Sequence, residues 1–401
     1  MIIYSIIQII VLVLLGLATA YIFIFSVAGL FYRQRRYKHS DKARKVAVLI
    51  PGYKEDAVIL EVAQAALKQD YPADRFEVVI IADSFQPETI AALKSIPVKL
   101  IEVKFEKSTK SKALNKAMEQ LGDQYDIAVV LDADNLMARD FLYKVNMAFE
   151  DGFTAVQGHR TAKNINNSWA ILDAVSEEIN NHIFRKGHRA LGLSSAIIGS
   201  GMAFDYSYFK NLMSTVDAVG GFDKEIELKM LKQGIKIGYL NDAMVYDEKI
   251  QNPEVFSNQR RRWLAAQFHY FKSYFPDACK HVLLKGNVDY FDKAIQFVQP
   301  PRILLLGAVM FLAAVFVVLN LLLHGPAVLT LLWIVTAIAC TSSFLFSIPR
   351  AFYSKKTLVA VAGIPKGMLL MLLSLLKIKG ANKTFLHTTH SASSADTKMG
   401  S

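Results

Sequence analysis

Two acidic residues, Asp132 and Asp134, flank a single alanine directly after an apolar run in "IAVVLDADN". Side chains alternate along extended chain, so positions i and i+2 point the same way. Two carboxylates held side by side repel unless a cation lies between them. An all-oxygen donor set suits Mg2+ or Mn2+, ions that also bind substrate phosphates. The plainer reading is that one acid solvates the loop or caps the helix that starts in "ARDFLYK".

A second cluster is "QRRRW", Gln259 to Trp263. The planar fork of arginine makes bidentate, charge-assisted bonds to phosphate. Trp263 could stack on a sugar or sit at a membrane interface, and the whole run could equally form a basic collar on anionic lipid. Asp223, Glu225 and Glu227 open a helix that Gly234 closes. The helix dipole favours acids there and accounts for two of them; the third could act as a general base. Asp83 ends "VVIIAD" and could bind a sugar or base, or cap its own turn with Ser84. Gly199 and Gly201 flank Ser200 and allow a ligand or another backbone to come close, or simply make a tight turn. The lysines of "KSTKSKALNKA" could neutralise phosphate, although a solvated helix face explains most of them.

These residues need a scaffold. The β-branched runs "VAVLIP" (46–51), "EVVIIAD" (77–83), "VKLIEV" (98–103) and "IAVVLDAD" (127–134) alternate with helical stretches. That pattern predicts a parallel, Rossmann-like α/β sheet. Ligands in such sheets bind beyond the carboxyl ends of the strands, where Tyr53, Asp83, Asp132 and Asp134 fall. There is no G-x-G-x-x-G and no G-x-x-x-x-G-K-[ST], so neither the dinucleotide fingerprint nor the P-loop is present. Two cysteines, Cys279 and Cys340, argue against a disulfide framework or a cysteine-rich zinc site.

The 401 residues are 53% hydrophobic, with a mean hydropathy of +0.27. Residues 1–31 carry no charge and exceed the ~20 residues that cross a bilayer. The basic run that follows, from Arg33 through Arg35, Arg36, Lys38, Lys42, Arg44 and Lys45, places the next domain in the cytoplasm by the positive-inside rule. The expected organisation is a transmembrane helix at 1–32, a catalytic domain at 33–263, interfacial helices at 264–302 and a transmembrane hairpin at 303–350. An interfacial or re-entrant helix at 351–384 and a disordered tail at 385–401 complete it. The net charge of +11 suits an anionic partner, but no nucleic-acid motif accompanies it.

Taken in order, "IPGYKE", "DAD", "GSGMAF", the acid-led helix and Q-x-x-R-W resemble the membrane-bound, processive members of glycosyltransferase family 2, among them cellulose, hyaluronan, chitin-oligosaccharide and poly-N-acetylglucosamine synthases. The resemblance covers roughly residues 45–270 and the flanking membrane segments, and implies a GT-A fold in the plasma (inner) membrane. By this resemblance Pro51, Tyr53, Glu55, Asp83, Lys112 and Asp132 bind the nucleotide of a UDP-sugar, and Asp134 holds Mg2+ or Mn2+ on the diphosphate. Gly199, Ser200 and Gly201 line the acceptor pocket, with Trp263 as its floor. Gln259 and Arg262 bind diphosphate. Gly221–Phe222–Asp223 departs from the family's Thr/Gly–Glu–Asp, so the base is assigned to Asp223 with Glu225 or Glu227 as alternatives.

The implied reaction is inverting transfer to a growing β-linked polysaccharide, with a single transfer to a lipid-linked acceptor as the alternative. Three clear crossings are few for polymer export. The aromatic residues of 264–300, a homo-oligomer or a small accessory membrane subunit would have to complete a channel. Arg260 and Arg261 receive no role. On the sequence, then, Arg262→Ala should abolish transfer and Arg260→Ala should mostly spare it, a contrast that initial rates with a labelled donor would read.

Overall fold

The computed structural model describes residues 2–34, 42–216 and 220–376. Arg35, Arg36 and Lys38 of the basic run, and the tail expected at 385–401, lie outside them. Strands β1 (Val46–Tyr53), β2 (Phe76–Asp83), β3 (Lys99–Val103) and β4 (Ile127–Val130) are parallel, with β1 between β2 and β4. Alternate residues of β1 serve opposite faces: Val46, Val48 and Ile50 enter one core, Ala47 and Leu49 the other. Helices cover both faces, which is why these runs are apolar throughout rather than alternating.

Beyond β4 the sheet changes character. The remaining strands are β5 (Leu136–Met137), β6 (Ala155–Ala162), β7 (Met202–Asp205) and β8 (Gly238–Asp247). β7 runs antiparallel to β4, β6 antiparallel to β7, β8 parallel to β6, and β5 closes the edge against β8. The full order is β3-β2-β1-β4-β7-β6-β8-β5. The sheet is therefore mixed, a GT-A-type Rossmann-like α/β fold, and not uniformly parallel. The apolar-run signal could not reach its second half. β6 reads "AVQGHRTA", and its polar side chains are buried in ion pairs rather than in the apolar core.

Among the described residues, three helices are long and apolar enough to cross a membrane: Ile2–Leu30, Arg302–Leu322 and Ala327–Ser347. A shorter pair, Lys355–Val361 and Ile364–Leu376, is bent by 46° at its break. The boundary expected between 263 and 264 falls inside one continuous helix, Pro253–Lys285. Much of its aromatic face does not line a channel. Tyr270 packs with Ala278, Tyr290 and Ala294 against Leu228 and Leu231 of the helix Phe222–Lys232, with Phe271, Tyr274 and Phe275 against that cluster.

The N-terminal helix is docked tightly onto the catalytic domain. It meets a π-helical stretch, Asn181–Gly187, at two glycines. A Cβ on Gly29 would come within 2.5 Å of His182 Nε2, and one on Gly187 would overlap the carbonyl of Phe25. His182 Nε2 bonds the Ser26 carbonyl at 2.8 Å, and the ring of His188 stacks on Phe25 with centroids 3.7 Å apart. His188 Nε2 also meets the Tyr21 hydroxyl at 3.1 Å and Asp292 at 3.2 Å. Because Gly187 meets backbone, which cannot rotate away, Gly187→Ala is expected to destabilise the protein by about 1–3 kcal/mol through overpacking. Thermal unfolding in detergent would show it as a lowered Tm; an unchanged Tm would refute the close contact.

Candidate active site

Tyr53 and Asp83 are paired in register at the ends of β1 and β2. Both chains then turn sharply through left-handed residues, Lys54 at φ 56° and Ser84 at φ 61°. Non-glycine residues adopt this region only when surrounding bonds hold them there. The Lys54 N–H donates to the Asp83 carbonyl at 3.1 Å, and the Ser84 hydroxyl donates to Asp83 Oδ1 at 2.9 Å. The turns splay the chain apart and leave a cleft over the strand ends.

At the end of β4 a relay fixes the two aspartates. The Asp132 N–H donates to Ser200 Oγ at 2.9 Å, and Ser200 Oγ donates to Asn135 Oδ1 at 2.6 Å. Asn135 Nδ2 then donates to Asp134 Oδ1 at 3.1 Å and to Asp247 Oδ1 at 2.9 Å. Ser200 is fully buried, and the Gly201 N–H bonds the Val130 carbonyl at 2.9 Å. Of the Gly199–Gly201 loop only Gly199 faces a cavity; Ser200 and Gly201 lie behind the strand and position Asp132. Both glycines have positive φ, 82° and 62°, which is what the turn needs.

Lys110, rather than Lys112, reaches this site. Its ammonium pairs with Asp132 and donates to the Gly199 carbonyl at 2.7 Å. Lys112 donates to the Lys107 carbonyl at 3.2 Å and is absent from the pocket lining. The cause is helical phase. Thr109 caps the helix Lys110–Leu121, so Lys110 leads it beside the strand ends. Two residues on, a side chain points ~200° around the axis.

Behind the aspartates lies a buried ionic network that the sequence reading did not find. Arg160 donates to Glu177 at 2.9 Å, Lys249 pairs with Asp247 at 2.7 Å, and Arg185 approaches Glu177 at 3.6 Å. Burial alone would raise Glu177, but Arg160, Lys249 and Arg185 outweigh it and hold it well below the usual carboxylate range. Burial likewise works against the charge on Asp247, and Arg160 and Lys249 overcome it. The available signal was charge at the ends of strand-like segments, in "GHRTAKN" and "VYDEK".

The helix Pro253–Lys285 brings Gln259, Arg262 and Trp263 into the same pocket as Pro51, Tyr53, Glu55, Asp83, Asp132 and Asp134. Burial lowers the affinity of Arg262 for its proton, although an arginine stays charged at any ordinary pH. Arg260 is there too and does not face bulk lipid. It is 8% exposed, donates to Asp173 Oδ1 at 2.6 Å and lies 4.3 Å from the Trp263 ring centre, a cation–π contact.

The acid-led helix separates its three candidates. Glu225 pairs with Lys229 at 2.7 Å. Glu227 is buried against Lys293 at 2.8 Å, and burial pushes it up. Of the three, Asp223 lines a cavity, the one that also touches Gly199 and Trp263. This second cavity, about 730 Å³, shares Asp132, Gln259, Arg262 and Trp263 with the first, of about 540 Å³. It continues to Ile303, Leu306, Phe344, Ile348 and Met371 on the apolar helices.

No group of three or more His, Cys, Asp or Glu side chains converges as a metal site among the described residues. Mg2+ and Mn2+ do not require one, because they bind through one or two carboxylates and complete their shell with phosphate and water. The hard oxygens of Asp132 and Asp134, in a pocket that also holds Arg262, fit such an ion.

Residues 43–266, more than half of the chain, match the family described as "Glycosyltransferase like family 2". The chain belongs to that family. It is 25% identical over 262 residues to the beta-monoglucosyldiacylglycerol synthase of Synechocystis, which covers 62% of this chain and 53% of that protein. It is 25% identical over 244 residues to an N-acetylglucosaminyltransferase of Rhizobium meliloti, covering 56% and 55%. The chain thus spans about half the length of the curated relatives it matches. Among solved structures it is similar to a mannosyltransferase from Pyrobaculum calidifontis in complex with GDP-Man and Mn2+, at 18% identity and TM-score 0.49, covering 83% of this chain and 99% of that one.

Two expectations change. Arg260→Ala should now cost transfer substantially, because it leaves Asp173 buried without its cation and Trp263 without its support. Lys110→Ala should raise the donor KM about tenfold, the size of one lost charge-assisted bond, whereas Lys112→Ala should stay near wild type. Steady-state kinetics with varied donor would test both; equal effects of the two lysine variants would remove Lys110 from the site.

Proposed function

We propose that this protein is an inverting, membrane-embedded glycosyltransferase that moves a single sugar from a UDP-sugar to a lipid-borne acceptor. The observation that carries this is the cavity that passes from Asp223 and Trp263 into the apolar lining of Ile303, Leu306, Phe344, Ile348 and Met371. A soluble acceptor has no use for such a wall, whereas acyl chains bury against it favourably, at about 25 cal/mol per Å².

In this reading Tyr53 and Asp83 hold the nucleoside at the ends of β1 and β2. Asp132 faces the nucleotide, and Gln259 and Arg262 receive the diphosphate, with Asp134 as the anchor for Mg2+ or Mn2+. The ion would neutralise charge developing on the leaving diphosphate. Arg262 adds a fixed cation for the same charge, in a partly desolvated site where it acts strongly. Asp223 accepts the proton of the acceptor hydroxyl as its oxygen bonds to the anomeric carbon. The bond to UDP breaks on the opposite face, so configuration inverts. Trp263 forms the floor under the acceptor. The catalytic domain sits on the cytoplasmic side of a multi-pass protein, next to the basic run after the first helix.

The names of the Synechocystis and Rhizobium relatives pull in different directions, toward a lipid and toward an N-acetylglucosamine product, and Q-x-x-R-W favours the second reading of polymer synthesis. Product chemistry separates them. Purified protein in nanodiscs, given radiolabelled UDP-glucose or UDP-N-acetylglucosamine and Mn2+, should place the label in the organic phase as one sugar per lipid. Label in a water-soluble polymer would overturn the proposal. Asp223→Asn should lower kcat at least about a hundredfold, the usual value of a positioned base, with little change in donor KM. Undiminished kcat would remove Asp223 from that role.

A further inference from the structure

The wall of the membrane-facing cavity holds one arginine without a counter-charge. Arg302 is the first residue of the helix Arg302–Leu322, at the border between the polar part of the lining and Ile303, Leu306 and Phe344. An ordinary arginine at the start of a membrane helix extends outward to bilayer headgroups. This one is turned inward. Its guanidinium lies 5.6 Å from the Phe184 ring centre, and its Nη2 makes only long contacts to Ser176, at 3.4 and 3.5 Å. Its Nη1 is covered and has no hydrogen-bond partner.

Three other arginines of this wall have a carboxylate partner. Arg160 has Glu177 at 2.9 Å, Arg185 has Glu177 at 3.6 Å and Arg260 has Asp173 at 2.6 Å. No carboxylate lies within 4.0 Å of Arg302 among the described residues. The acid whose field reaches it is Glu177, already shared by Arg160, Arg185 and Lys249. Arg260 is near enough to repel it. The Nε of the neighbouring Arg260 is likewise covered without a hydrogen-bond partner. A guanidinium covered in this way is costly unless something supplies negative charge and acceptor oxygens. A phosphate supplies both, in the geometry that an arginine fork prefers.

We propose that the acceptor is a phosphate-bearing lipid with a free headgroup hydroxyl, and that Arg302 binds its phosphate. This rests on the reading of the acceptor as a lipid. One cavity holds all three parts that such a molecule needs: Asp223 for the hydroxyl, Arg302 for the phosphate and the apolar helices for the acyl chains. The phosphate takes no part in bond making. The headgroup oxygen bonds to the anomeric carbon, the bond to UDP breaks, and the proton passes to Asp223. Arg302 is thus a specificity-determining residue.

The test uses the full chain in phosphatidylcholine nanodiscs doped with either phosphatidylglycerol or diacylglycerol, with labelled UDP-sugar and Mn2+. Wild type should prefer phosphatidylglycerol in kcat/KM by about tenfold or more, one charge-assisted contact. Arg302→Gln should bring that ratio toward one through acceptor KM, and Arg302→Lys should restore part of it. Melting curves establish that the variants are folded, and the wild-type preference tests the idea even if they are not. Wild-type preference for diacylglycerol, or an Arg302→Gln ratio equal to wild type, overturns the assignment of Arg302 while leaving a lipid acceptor standing. Label that reaches neither lipid and appears in a polymer overturns the lipid reading itself, and this inference with it.

Discussion

Charge that must be buried is the constraint on which this site depends. Asp132 and Asp134 end a strand whose preceding residues are fully enclosed, and Glu177 and Asp247 stand just behind. Four carboxylates in so small a volume would not ionise together without compensation. The chain brings Lys110, Arg160, Arg185 and Lys249 to them from separate elements. Such networks add little net stability, but removing one member strands a buried charge. The charged side chains of the pocket are thereby held in place by one another, and Arg302 stands beside them with no carboxylate within 4.0 Å among the described residues.

The second half of the fold serves that balance. β6 and β8 carry Arg160 and Asp247 and pair in parallel with a register shift at Gly158/His159. The antiparallel β7 returns Ser200 to the end of β4, where its hydroxyl accepts from the Asp132 N–H. The long helix Pro253–Lys285 then lays its Gln, Arg and Trp across the opening. Its far half packs on the helix that carries Asp223, so Asp223 and the arginines share one support.

Docking of the apolar N-terminal helix uses different physics. The first helix approaches the π-helical turn closely because Gly29 and Gly187 present no side chain. His182 and His188 bond across the joint. The helix that leads directly into this turn, Ser168–Asn180, supplies Asp173, Ser176 and Glu177 to the cavity walls. Catalytic and membrane parts therefore meet in a shared cavity rather than through a linker.

The sequence by itself determined whatever depends on local composition. Apolar runs marked β1 to β4 and the three long helices, because burial on both faces or in lipid demands uninterrupted apolar residues. Strand ends marked Tyr53, Asp83, Asp132 and Asp134, because ligands in such sheets bind there. Only the tertiary structure decided the rest. Lys110 rather than Lys112 enters the pocket by helical phase relative to a neighbouring strand. Arg260 is committed by Asp173, 87 residues away. Ser200 is buried against the end of β4, bonded to the Asp132 N–H and to Asn135, because β7 lies beside β4. Polar side chains such as Arg160 and Glu177 are buried by each other, and a pairing between distant charges leaves no periodicity in the chain to read.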